Sequence, residues 1–194
     1  MKPFKILASV TLSALIVNAC TPPVKQVDKR PEAEKNLVDR FHTADSIYKA
    51  QINDIKKNET LETNTATLSL FVKDTLKLKA DQWIAIVDKI QVVSWPTDYI
   101  DVKLIVPKAP SSSDEEEKYP QYSNVILAAK ESVSNEPLKK QLKELIKGDT
   151  VLVTGTFDTE AHNTVNFTSG MDSEQEIFSN PLFDFSIKTI IKAK

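Results

Sequence analysis

Residues 138–157 read LKKQLKELIKGDTVLVTGTF, and this stretch decides the fold. Leu138, Leu142, Leu145 and Ile146 recur at the three- and four-residue spacing of one helix face. Asn135 stands before them as a cap. Glu136 and Pro137 occupy the first turn, where an acid meets the positive end of the helix dipole and proline's missing N–H goes unused. Gly148 ends the helix where a left-handed residue is needed. The period then changes from 3.6 to 2. Val151, Val153 and Phe157 share one face of a strand running from Asp149 to Phe157, and Gly155 permits a close backbone approach along it.

Working outward, the neighbouring segments also alternate. Trp83 to Val93 is dense in Ile and Val, which favours a strand. Ile84 and Ile86 share a face that Asp88 interrupts before Ile90 and Val92 resume it, which predicts a bulge near Asp88. Pro96 marks a turn. Ile100, Val102, Leu104 and Val106 alternate with Asp101, Lys103 and Ile105, a strand with one wet face. Pro107 to Pro120 is a polar loop whose acid run, Asp114 to Glu117, reads as solvated surface. Tyr122 to Lys130 forms a third strand, with Val125, Leu127 and Ala129 on one face. Asp158 to Pro181 is a long polar connection with no clear element, and Phe183, Phe185, Ile187 and Ile191 close the chain as a fifth strand.

The first half of the chain is helical. Pro31 to about Asn58 reads as one long helix, with Glu32 and Glu34 at its positive end and Lys56 and Lys57 at its negative end. Leu37, Phe41, Ala44, Tyr48 and Ile55 form an apolar stripe that Val38, Ile47 and Ile52 widen. A stripe this wide packs on the protein's own core, whereas a coiled-coil seam is narrower. A partner-binding or dimerising helix is the alternative. Between Glu59 and Gln82 the pattern suits a second short helix near residues 65–73 and an extended lead into Trp83.

Three strands, a helix and two more strands is an order that resembles the OB-fold, over residues 83–194 and best over Leu138–Phe157. The resemblance implies an α+β protein. A helical segment at 31–80 would precede an OB-fold-like five-stranded antiparallel barrel at 81–194, with one helix between strands 3 and 4. It also implies a ligand position across the middle strands and the loops Ser94–Tyr99 and Asp158–Pro181. The chain departs from the pattern in having no glycine at the expected bend of its first strand.

The N-terminus is an address. Lys2 and Lys5 precede an apolar run from Ile6 to Val17, too short for a comfortable membrane span. The run ends in Val17-Asn18-Ala19-Cys20, which resembles the lipobox of bacterial lipoproteins, with Asn18 a less usual choice at its position. The resemblance implies cleavage before Cys20 and acyl chains on that residue. Residues 1–19 are then a signal peptide. Residues 20–30, with Pro22 and Pro23, form a flexible tether. Each buried methylene of such a chain is worth about 0.8 kcal/mol, so two or three chains anchor stably. By the same resemblance, Thr21 in place of aspartate implies that in a Gram-negative cell the anchor is in the outer membrane, with the domain facing the periplasm. Cys20 is the only cysteine, so no disulfide forms within the chain.

Composition narrows the function. Losing residues 1–19 removes Lys2 and Lys5 and moves the formal charge from −2 to −4. A nucleic-acid binder is more often basic, because phosphate neutralisation supplies much of the affinity. The three glycines, Gly148, Gly155 and Gly170, cannot build a phosphate-cradling loop. No GxSxG sequence and no second cysteine offers a nucleophile. His42 falls inside the helix. His162 lies near Asp158 and Glu160 without an ordered element to complete a metal site, so no metal or cofactor is expected. Trp95 and Tyr99 can form a stacking pair, with Lys103 and Lys130 on the outward face of the strands beside them. The expectation is a non-enzymatic envelope lipoprotein, held on the membrane by lipid at Cys20, whose barrel binds a protein, peptide or glycan. Two alternatives are an assembly role for the long helix, and single-stranded nucleic-acid or oligosaccharide binding by the barrel face.

Overall fold

The computed structural model describes residues 28–107, 124–160, 164–170 and 176–193. In chain order the elements are α1 (Glu32–Lys49), α2 (Asp54–Leu70), a single π-helical turn (Phe71–Thr75), β1 (Lys79–Val93) and β2 (Tyr99–Val106). There follow β3 (Val125–Ser132), α3 (Glu136–Lys143), β4 (Thr150–Phe157), β5 (Phe167–Ser169) and β6 (Pro181–Lys192). The protein is α+β, with helices preceding a mainly antiparallel sheet.

The sheet order is β3-β2-β1-β4-β6-β5, and β3 also pairs with β6. That last pairing is parallel, Ile126 to Ala128 against Leu182 to Asp184, and it closes the sheet on itself. All other pairings are antiparallel. Closure asks β1 to serve two neighbours, β4 along Lys79–Ile86 and β2 along Ile86–Val93. Two irregularities let it do so. One lies at Asp88, as the interrupted alternation predicts. The other lies between Ala80 and Trp83, where Gln82 takes φ +53 and its amide N–H donates to Thr154 Oγ1 at 3.0 Å. The bend that a glycine would make easily is therefore made by a residue with a side chain, at a local conformational cost of about 1–2 kcal/mol.

Several expectations are corrected. Six strands are present among the described residues where five were expected, because β5 lies inside the connection read as having no element. Its three residues carry one buried side chain, Phe167, so the segment shows no alternation. The third strand runs from Val125 to Ser132; Tyr122 and Ser123 lie outside the described residues. The helix expected from Pro31 to Asn58 is two helices. Lys49 Nζ binds Asp45 at 2.8 Å and Ser179 at 3.0 Å, which fixes the end of α1 against the turn before β6. Asn53 then caps α2 by accepting the Lys56 N–H at 2.9 Å. The break takes Ile52 out of the helix and resets the phase at Ile55, whereas Ile47 precedes it in α1. Leu37, Val38, Phe41 and Ala44 are buried, but Ile47, Ile52 and Ile55 are exposed. In place of a short helix near 65–73, α2 runs on to Leu70 and passes into the π turn.

One core joins the layers. Aromatic rings link α1 to the sheet edge to face: Phe41 meets Phe167 at 4.9 Å and Phe183 at 5.7 Å, and Phe183 meets Phe157 at 5.1 Å. Trp83 continues the chain against Phe157 at 5.6 Å. At the other end of the sheet Leu138, Leu142 and Leu145, from α3 and the turn after it, are buried in the same core. α3 ends at Lys143 with Glu144 as its cap, so Gly148 does not terminate the helix as expected; it takes φ +91 in the turn before β4, and its N–H donates to Val87 O at 2.7 Å.

Candidate functional site

The hairpin joining β1 to β2 carries the most exposed aromatic side chain among the described residues. Trp95 is 85% exposed, whereas Trp83 on β1 is 1% exposed. Val92 beside it is also exposed, and the Trp95–Pro96 peptide is cis. Tyr99 begins β2 opposite Val93, half-buried. No ring contact joins Trp95 to Tyr99, so the two present separate surfaces.

Behind this tip the alternation of β2 sends Asp101 and Lys103 outward, because Ile100, Val102 and Leu104 point into the core. Lys130 stands opposite Asp101 on β3 and is exposed. Three lysines of this face, Lys89, Lys103 and Lys147, are paired. Lys89 binds Asp101 at 2.8 Å, and Gln91 donates to the same carboxylate at 3.1 Å. Lys103 faces Asp88 at 3.8 Å, and Lys147 binds that carboxylate at 2.9 Å. The bulge at Asp88 thus sets an acid where two lysines reach it. The outward face is a mixed, largely self-neutralised polar surface rather than a basic groove, which is poor preparation for a phosphate backbone.

The two loops that the OB resemblance singles out are not brought together by pairing. Residues 94–98 follow the C-terminal end of β1, whereas the connection after β4 leaves beside its N-terminal end, where Lys79 pairs with Thr156. Cys20, His162 and the acid run 114–117 lie outside the described residues. His42 is exposed on α1. Among the described residues no group of three or more His, Cys, Asp or Glu is arranged to hold a metal ion, and no helix is long and apolar enough to cross a membrane.

A second polar constellation escaped the sequence reading. Glu34, read above as a dipole partner, is fully buried. Its Oε2 accepts the Ile84 N–H of β1 at 2.8 Å, while Oε1 has no hydrogen-bond partner and lies 3.8 Å from Arg30 Nε. Arg30, placed in the tether by the sequence, is buried too. Its Nη1 donates to Pro107 O at 2.6 Å, and its Nη2 binds Asp28 at 2.8 Å. Burial pushes the Glu34 carboxyl up to about 7, against the opposing pull of the Ile84 N–H and the Arg30 charge. The hydrogen bonds from Arg30 hold Asp28 below the usual carboxylate range. One sequence signal was available: Glu34 stands seven residues before Phe41, on the buried stripe itself. No protein-family model, curated protein or solved structure matches the chain.

Proposed function

We propose that this chain is a non-enzymatic lipoprotein of the cell envelope, acylated at Cys20, whose OB-fold-like barrel holds Trp95 out to a protein, peptide or glycan partner. The observation that carries the reading is the exposure of Trp95. A large aromatic side chain held in water at a hairpin tip contributes nothing to the core, and tryptophan is the residue most enriched where interfaces concentrate their energy. The barrel assignment rests on the order of pairings, with β1 shared by two neighbours, α3 between β3 and β4, and the parallel β3–β6 closure.

Geometry favours a partner away from the anchoring bilayer. Arg30 is bonded to Pro107, beyond the last residue of β2, and Trp95 lies beyond its first. The eight residues of β2 separate them, about 25 Å of strand. The Arg30 contact and the tryptophan tip therefore lie beyond opposite ends of β2.

Two variants test the reading. Cys20→Ser is expected to abolish the acyl mass of the purified protein and release it from the membrane fraction. An unacylated wild-type protein would refute the anchor. Trp95→Ala is expected to leave unfolding unchanged within about 0.5 kcal/mol while removing cross-linked partners recovered from intact envelopes. Assembly through the α1–α2 hairpin is the second reading, favoured by the exposure of Ile52 and Ile55. Partners that survive Trp95→Ala support it over the first.

A further inference from the structure

The antiparallel register of β1 and β2 pairs Ile86 with Ile105. One rung further would place Ile84 opposite Pro107. Proline has no N–H to donate, so at most one bond of that rung could form, from the Ile84 N–H to the Pro107 carbonyl, and neither of these groups uses the other. The two orphaned groups are nonetheless satisfied. Glu34 accepts from the Ile84 N–H, and Arg30 donates to the Pro107 carbonyl, so two side chains one helical turn apart on the same arm stand in for the missing strand residue. The substitution is incomplete, since Glu34 Oε1 is buried without a partner. A neutral carboxyl tolerates that position, whereas a carboxylate there is a desolvated charge with one hydrogen bond and a distant cation.

We propose that Arg30 and Glu34 form a proton-controlled latch, which fastens the helical arm to the open β1–β2 rung when Glu34 is neutral and loosens it when Glu34 is ionised. The charged groups facing Glu34 are Arg30 and Lys35 of its own arm and helix, with Asp28 opposing them. The sheet side contributes the Ile84 amide, and next to Arg30 the Pro107 carbonyl. The closed arm holds the proton up to about pH 7, while the ordinary value for a glutamate is 4.5. The closed state is therefore favoured most below 4.5 and loses that advantage as pH rises through 7. The latch stands without an anchor. Its consequence, a tether that lengthens in neutral or alkaline surroundings, rests on the lipoprotein reading.

Hydrogen exchange on the full-length chain in detergent tests the latch, and its readout does not depend on acylation. Once corrected for intrinsic exchange, protection of the Ile84 amide is expected to fall by tens of fold from pH 5 to pH 8. The Gly148 amide, bonded to Val87 O three residues further along β1 on the side that faces β4, should hold steady. Glu34→Gln keeps the acceptor oxygen but cannot ionise, and it should flatten the Ile84 profile. Arg30→Met should lower protection at every pH, since Pro107 O loses its donor. A flat wild-type profile, an unchanged slope in Glu34→Gln, or a parallel fall at Gly148 would overturn the proposal.

Discussion

Phe183→Ala is expected to destabilise the fold by about 3–5 kcal/mol. Phe183 is fully buried near the start of β6, and its ring touches one aromatic residue from each of three other elements. These are Phe41 of α1, Phe157 of β4 at 5.1 Å and Phe167 of β5 at 5.3 Å. Truncation removes the transfer free energy of the ring and leaves a cavity walled by aromatic faces on separate elements, which cannot collapse together. The loss is a large part of the 5–15 kcal/mol that holds a typical domain. Chemical denaturation of wild type and variant measures it from the midpoint shift at constant slope. Because β5 has only Phe167 buried, its protection should fall furthest. A loss below about 1 kcal/mol would mean that the aromatic cluster does not bind the helices to the sheet.

Gly155→Val is the second large effect. A Cβ on Gly155 would run into the Ser186 carbonyl and the ring of Phe185 at 2.5 Å, both on β6. The carbonyl belongs to backbone on the paired strand, beside the register shift between Thr154 and Gly155. Neither strand can retreat without opening the β4–β6 ladder. Overpacking of this kind costs about 3 kcal/mol. Gly148→Ala is the matched control. A Cβ there meets nothing within 4 Å, but φ is +91, so its expected cost of about 1–2 kcal/mol is purely conformational. Thermal or denaturant unfolding of the two variants separates the causes. Equal losses would count against the steric reading.

Much of the sheet was legible in the sequence because alternation reports burial directly. Val102 and Leu104 are buried where the pattern puts them, and Asp88 bulges where the pattern breaks. Gly148 and Gly155 were readable because each meets a constraint that only a residue without a side chain satisfies easily. The helix break was not legible. Ala50 to Asn53 contains neither proline nor glycine, and the apolar spacing runs through it to Ile55. The contact that holds the end of α1, Lys49 to Ser179, spans 130 residues and lies outside any local window, and the one local signal, Asn53 as the cap of α2, stands inside the continuing apolar spacing. The bend at Gln82 was hidden likewise, since glutamine does not advertise a left-handed backbone. At the candidate site, alternation gave the outward direction of Lys103. It did not give the ion pairs that occupy Lys89, Lys103 and Lys147, because those depend on cross-strand register and the bulge. The buried role of Glu34 was missed because the first turn of a helix is also where an exposed glutamate belongs.

β6 contacts three other strands, β4, β5 and β3, and follows all of them in sequence. A polypeptide emerging N-terminus first, from a ribosome or through a pore, therefore carries β1 to β4 with unfilled hydrogen-bonding margins until residues 181–192 arrive. Valine- and isoleucine-rich segments waiting in that state are prone to pair with the wrong neighbour. Residues 181–192 thus act as a timing element: the β3-β2-β1-β4 ladders can form ahead of them, but closure waits until they are delivered, and a chain cut short ahead of Pro181 cannot make the β3–β6 and β4–β6 pairings.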